Sequence, residues 1–378
     1  MEAVFLAKAI EFRRTLHKHA EKSGSEKITA GMVSKLMESC HPDNTLRGLG
    51  GTEGLAFVFE GKEPGPTIVF RCELDAVPLR ETSNLPYRSI NQDVSHACGH
   101  DGHMAILAGL ASKLNSKGLR KGRLVLLFQA AEETGTGAAK VIADERFKKL
   151  QPDFIFALHN LPGYPIGQVL IREGSFAYAS KGMILRIHGI SAHAAHPEKA
   201  TSPTWEFIEI LGQMLRLSIP KNSLITPVYA RLGEIDFGTT PGDAEIMVTL
   251  RADTDTLLDQ ISKSIVDLIS QTIKKREFVT QVSWRDSFSA TINDSNATRF
   301  IKKAAISGRM GILPVPFPFR WSEDFGEYLK VYPGALFGLG AGEGQASLHH
   351  PEYDFPEELI ELGVEIFEGI ERTILSEW

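Results

Sequence analysis

The chain has 378 residues, 43% of them apolar and 23% charged, with a net charge of −6. That length suits two or three domains, the mild negative charge without a basic stripe argues against a nucleic-acid partner, and no apolar run reaches the about 20 residues of a membrane span. Three cysteines, Cys40, Cys72 and Cys98, are too few and odd in number for a disulfide framework, which points to a reducing cytoplasm.

Residues 2–19 and 27–39 carry the apolar spacing of helices. The first is amphipathic and does not read as a secretory signal, since no cationic segment precedes a compact apolar run. GLAFVF at 54–59 and PTIVFR at 66–71 read as strands. A helix follows at 102–116, a strand at 123–129, a helix at 137–149 and a strand at 153–158. Continuous apolar strands separated by helices predict a parallel or mixed sheet covered on both faces. From about residue 178 the pattern changes to strand 180–188, helix 202–217, strand 225–236, strand 244–252, helix 255–275 and strand 278–286. That order, β-α-β-β-α-β, is ferredoxin-like. The α/β pattern returns with helices near 294–307, 322–330 and 356–376 and a strand at 335–339. The simplest organisation is an α/β domain at 1–177 and 290–378, interrupted by a smaller α+β domain at 178–289.

Five segments carry candidate chemistry. SHACGHDGHMA, 95–105, packs His96, Cys98, His100, Asp101 and His103 into a loop that feeds a helix, where α/β folds place ligand sites. Thiolate, imidazole and carboxylate are the ligands of zinc-like metals. In FQAAEETGTGA, 128–138, Glu132 and Glu133 follow an apolar strand at once. Two carboxylates so close suit different roles, one on a metal and one moving protons. His159 ends the strand 153–158, His349 and His350 lie in a loop before the last helix, and Asp75 lies just past a strand in RCELDAVPL. A Cys, three His and a Glu at the ends of different elements exceed a closed four-ligand zinc site. They suit two metals sharing a water.

The motifs HACGHDGHMA, FQAAEE, LHN, GISAHAAHP, SEDF and LHHPEYDF resemble the amidohydrolase branch of the dinuclear-metal aminoacylase/carboxypeptidase superfamily. That branch includes hippurate hydrolase, N-acyl-amino-acid deacylases and auxin-conjugate hydrolases. The resemblance implies a zinc-peptidase-like α/β catalytic domain with an inserted ferredoxin-like satellite domain that serves as lid and dimerisation module. It implies metal ligation by Cys98, His100, Glu133, His159 and His349, the last preferred over His350 by the L-H-x-P match. It makes Glu132 the general base and Asp75 a carboxylate supporting the metal site. His193 would reach the substrate carbonyl, often across a dimer interface. The implied cofactors are two divalent ions, zinc or manganese first, cobalt or nickel as alternatives. The implied reaction is hydrolysis of an N-acyl or N-aroyl amino acid by a cytoplasmic homodimer, with no nucleic-acid or membrane partner. A dipeptidase or carboxypeptidase on the same scaffold, a non-catalytic metal-binding protein and a hydrolase with Cys98 as nucleophile are the competing readings.

Three positions depart from the family pattern. Pro and Leu are missing after Leu16-His17, Glu73 stands where an Asp is usual, and Gly238-Thr239-Thr240-Pro241 replaces an N-V-I-P stretch, which leaves substrate choice open. His17, His19 and His41 read as surface residues, His188 as structural, and His96, Asp101 and His103 as supports of the site.

Overall fold

The computed structural model describes residues 3–273 and 278–378. Residue 2 of the first predicted helix and residues 274–275 of the helix 255–275 lie outside the described residues.

The elements are α1 (Ala3–Lys18), α2 (Lys27–Glu38), β1 (Asn44–Leu49), β2 (Gly54–Glu60), β3 (Glu63–Glu73), α3 (His100–Lys117), β4 (Lys121–Gln129), α4 (Gly137–Ala143), α5 (Glu145–Lys148), β5 (Phe154–Leu161), β6 (Val169–Ile171) and β7 (Gly174–Ala177). Then come β8 (Ala179–His188), α6 (Thr204–Arg216), β9 (Ser223–Leu232), β10 (Asp243–Ala252), α7 (Asp255–Thr272) and β11 (Val279–Phe288). The chain closes with β12 (Thr291–Asn293), α8 (Ser295–Ser307), β13 (Ile312–Pro314), α9 (Gly326–Leu329), β14 (Gly334–Gly340) and α10 (Glu358–Glu377). Two compact units result: Met1–Phe176 with Thr291–Pro318 and Glu323–Trp378, and Ala177–Ala290 with Phe319–Ser322.

The larger unit is built on an eight-stranded sheet in the order β1-β2-β4-β3-β5-β14-β6-β13. Its centre, β4-β3-β5-β14, is parallel, and β1 and β2 add antiparallel at one side. The central strands are buried on both faces, which is why their sequences run apolar without alternation. On α3 nearly the whole circumference is buried, from Met104 through Ala111, against the core shared with α1 and α10. Because the central strands are parallel, the ends at Glu73, Gln129, Leu161 and Gly340 lie along one edge of the sheet. Candidate ligands follow or lie within these ends.

The smaller unit is a four-stranded antiparallel sheet, β11-β8-β10-β9, packed on α6 and α7. Order and pairing are those of a ferredoxin-like β-α-β-β-α-β fold. On β10 the residues Ala244, Ile246, Val248, Leu250 and Ala252 point inward and alternate with half-exposed neighbours, the period of two that a one-sided sheet requires. Thr254 caps α7 by accepting from the Leu257 N–H, and Leu258, Ile261, Ile265 and Ile269 form its buried stripe. The return segment is tied in by the Tyr178 N–H, which donates to the Phe319 and Trp321 carbonyls at 3.0 and 3.1 Å.

Local chemistry explains where the observed elements differ from the sequence reading. The helix expected at 137–149 is two helices, because the Asp144 side chain accepts from the Arg146 N–H and starts α5 afresh. The helix expected at 322–330 shrinks to α9, since Glu323 and Asp324 are engaged with Arg71 instead. The strand expected at 225–236 stops at Leu232, before Gly233 at φ +64. Strands β1, β6, β7, β12 and β13 were not anticipated. All are short, and β1 is half exposed without clear alternation. His17 is a correction of another kind. It is fully buried on α1, not at the surface, with Nδ1 2.9 Å from Asp101 and Nε2 3.3 Å from Glu81.

Candidate metal centre

Asp75 emerges from the end of β3 and organises its neighbours through two groups. Its Oδ2 accepts from the Glu133 N–H at 2.9 Å and from Ser23 Oγ at 2.5 Å. Its backbone carbonyl accepts from His100 Nδ1 at 2.8 Å. A carbonyl only accepts, so the proton of His100 sits on Nδ1 and Nε2 presents its lone pair. That Nε2 is buried without a hydrogen-bond partner, 3.9 Å from both Glu132 Oε2 and Glu133 Oε1. His159, within β5, repeats the device: its Nδ1 donates to the Asn160 carbonyl at 3.0 Å and its Nε2 lies 3.6 Å from Cys98 Sγ.

Between Cys98 and His100 the chain must turn sharply into α3. Gly99 makes the turn at φ +90, and a Cβ there would come within 2.6 Å of the Asn160 side chain. Glycine therefore permits both the backbone conformation and the close approach. Glu132 and Glu133 lie in the turn after β4, which Ala131 enters at φ 58. His349 sits in the left-handed region at φ 61, with its N–H bonded to the Ala97 carbonyl at 2.8 Å. This places His349 Nε2 3.6 Å from Glu133 Oε1. His350 is turned elsewhere, and its Nδ1 accepts from the Glu352 N–H at 3.2 Å.

Three overlapping groups result: Cys98, His100 and His159; Cys98, Glu133 and His349; His100, Glu132 and Glu133. Within each, the ligand atoms lie within 4.8 Å of one another. The donor set is thiol, imidazole and carboxylate, and the buried His100 Nε2 and Glu133 Oε1 lack hydrogen-bond partners. Such a set fits divalent cations of the zinc type. Glu73, His100 and His103 form a further group. Both nitrogens of His103 are already engaged, Nδ1 with Glu73 at 2.7 Å and Nε2 with Asn160 Oδ1 at 2.6 Å.

The protein's own charges divide the two glutamates. Burial, then the charges of Glu323, Glu133 and Asp324, push Glu132 well above the usual carboxylate range. Burial acts the same way on Glu133, but His349 and His100 outweigh it and the net shift is downward. Burial and the neighbouring Glu133 and Glu132 raise the Cys98 thiol well above its ordinary value, the opposite of an activated nucleophile. A bound cation reverses that direction and draws out the thiolate.

Of the eight residues singled out in the sequence, seven lie together in the larger unit: Asp75, Cys98, His100, Glu132, Glu133, His159 and His349. His193 belongs to the smaller unit. It is exposed, pairs with Thr239 in an isolated antiparallel bridge, and its Nδ1 accepts from the Ala195 N–H at 3.0 Å. The Gly238-Thr239-Thr240 departure is therefore the neighbour of His193, joined by the Ala194 N–H to the Gly238 carbonyl at 2.9 Å.

Sequence reasoning assigned no role to Arg71, Glu323 or Asp324. Arg71 left a signal, a charge inside the otherwise apolar run of β3. Glu323 and Asp324 left only the SEDF motif.

Fold and donor set together define an α/β metallohydrolase. The sequence matches peptidase family M20/M25/M40 over residues 69–372, and the chain belongs to that family. It is a metal-dependent hydrolase of the amidohydrolase/peptidase class. A probable hydrolase of Synechocystis sp. is 31% identical over 376 residues, covering 95% of this chain and 93% of that protein. N-acetyl-L-cysteine deacetylase of Bacillus subtilis is 28% identical over 97% of this chain and 88% of its own. The crystal structure of Bacillus subtilis YXEP protein, described as a dinuclear metal binding peptidase, has the same fold. Its TM-score is 0.83 at 24% identity, covering 99% of each chain. Among the described residues no helix is long and apolar enough to cross a membrane.

Proposed function

We propose that the protein hydrolyses the amide bond of an N-acyl or N-aroyl amino acid, releasing a carboxylic acid and the free amino acid. The observation that carries this reading is the convergence of Cys98, His100, Glu133, His159 and His349 beside a separate carboxylate, Glu132. The deacetylase activity named for the Bacillus relative supports the substrate class.

The five candidate ligands would hold two divalent ions, zinc or manganese first, cobalt or nickel as alternatives. Bound there, the ions supply Lewis acidity to the carbonyl and to water. Glu132 accepts the proton of the attacking water and delivers it to the leaving nitrogen. Asp75 keeps His100 and the Glu133 backbone in place through the bonds described above. His193 donates to the carbonyl oxygen as negative charge develops. His193 acts across a homodimer, and the smaller unit offers a surface for one. Its helix α6 exposes Trp205, Ile208 and Leu215, and the edge strand β9 exposes Val228. Three buried free thiols suit a reducing cytoplasm.

The test is a panel of N-acetyl, N-benzoyl and longer N-acyl amino acids beside free dipeptides, assayed with the metal-loaded protein. Faster turnover of the N-acyl amino acids supports the proposal. Preference for dipeptides would assign the scaffold to a peptidase.

A further inference from the structure

Beneath the candidate site lies a fully buried polar cluster. Arg71 is its hub. Its Nη1 donates to Glu73, its Nη2 to Glu323 Oε1 at 2.9 Å and Asp324 Oδ1 at 2.6 Å, and its Nε to Gln129 Oε1 at 3.0 Å. One guanidinium thus faces three carboxylates, all buried. Asp324 is the most heavily bonded of them. Besides Arg71, its carboxylate accepts from Gln129 Nε2, at 2.7 Å to Oδ2, and from the Ala138 N–H at 2.9 Å. Its own backbone N–H donates to Glu132 Oε1 at 3.4 Å, long for a hydrogen bond of this type.

A buried carboxylate with this many donors is held in one orientation, and so is the peptide unit that carries it. Glu132 receives the result. Its backbone is fixed in the turn after β4 by the Gly135 N–H, which donates to the Glu132 carbonyl at 2.7 Å, so what remains to be aimed is the side chain. Glu132, Glu323 and Asp324 come within 4.8 Å of one another, and Arg71 pairs directly with two of the three, Glu323 and Asp324.

We propose that Asp324 is a positioning residue for Glu132. Its carboxylate, pinned by Arg71, Gln129 and the Ala138 N–H, holds its backbone N–H against Glu132 Oε1. The glutamate is thereby kept in the orientation that accepts a proton. The proposal rests on the reading of Glu132 as proton acceptor. It deepens that reading by naming what aims the carboxylate.

Asp324→Asn tests it. A carboxamide keeps the size but has one acceptor oxygen for three donors. The expected result is a kcat lower by about 10–100-fold, with KM changed less than about twofold, since misorientation of a reacting group acts on the chemical step. Metal content per chain and melting temperature should stay near wild type. The deciding measurement is the double variant. If Asp324 acts through Glu132, Asp324→Asn lowers the residual rate of Glu132→Gln by less than about twofold. An equal loss in both backgrounds overturns the proposal alone. Loss of metal in step with activity also overturns it. Wild-type turnover by Glu132→Gln removes the proton-acceptor reading and the proposal with it. If Asp324→Asn does not fold, Gln129→Met carries the same cycle, with an expected loss of roughly 3–10-fold because Arg71 and Ala138 still hold the carboxylate.

Discussion

The two units bury different things. The larger one buries Arg13, Arg71, Glu73, Asp75, Asp101 and Asp324 almost completely, together with four histidines of α1, α3 and the preceding loop. In the smaller unit the buried polar side chains, among the described residues, are Ser180, Ser223, Ser262 and Ser289. Charge is expensive to bury and persists where partners or ligands compensate it. Among the described residues the smaller core buries no charged side chain, and its apolar packing could be rebuilt from other apolar residues of similar volume. The larger core has a charge-bearing edge whose side chains are mutually fixed, and that edge is where chemistry belongs. The contrast separates variants that lose activity from variants that lose stability.

The largest effect should come from removing the cations. A strong chelator should abolish turnover, and zinc or manganese should restore it, with about two ions per chain at full activity if the five ligands hold a pair. A firm stoichiometry of one with full activity would reduce the site to a single ion. Next, Glu132→Gln should lower turnover by roughly 10²–10⁴ with metal retained. Glu133→Gln should lose metal. Equal metal loss in both would erase the division between the two glutamates.

His193→Ala is the exception that sharpens the comparison, since the residue lies in the smaller unit and yet is proposed to act in catalysis. Its kcat should fall by about 10²–10³ with little change in KM or metal content. Mixed with Glu132→Gln subunits, it should regain activity through heterodimers containing one intact site. No recovery after verified subunit exchange would confine His193 to its own chain.

Smaller effects concern stability. Ile265, fully buried on α7, should cost about 2–5 kcal/mol when changed to Ala, with turnover per folded molecule unchanged. The pH dependence should arise in the larger unit. Burial disfavours the charged form of His17, but Asp101 and Glu81 outweigh it and raise the group from 6.5 to about 9. A raised histidine contributes stability that is complete below its unfolded value of about 6.5 and is lost as pH climbs through 9. Denaturant titrations between those limits should show a fall in stability that His17→Gln flattens. An unchanged slope in the variant would assign the dependence to other groups.

Much of this was legible in one dimension. The apolar runs of β2, β4 and β5 and the helical spacing of α3, α7 and α10 lie in their sequences, because period and continuity follow from how many faces of an element are covered. The ferredoxin-like order was legible for the same reason. The segments that carry Cys98 and Glu132 stood out as clusters of unlike polar residues, while His159 and His349 gained their weight from the family motifs around them. The tertiary structure decided the rest. His17 shares its helix with exposed neighbours, and only Asp101 and Glu81, 84 and 64 residues away, make its burial tolerable. Between His349 and His350, adjacent in the chain, a left-handed backbone at His349 and its bond to Ala97 turn the first toward Glu133. Arg71 and Asp324 are separated by 253 residues, and their pairing exists only because β3 and the segment before α9 meet at one edge of the sheet. Local pattern records which face of an element is covered. It does not record which distant charge will be waiting there.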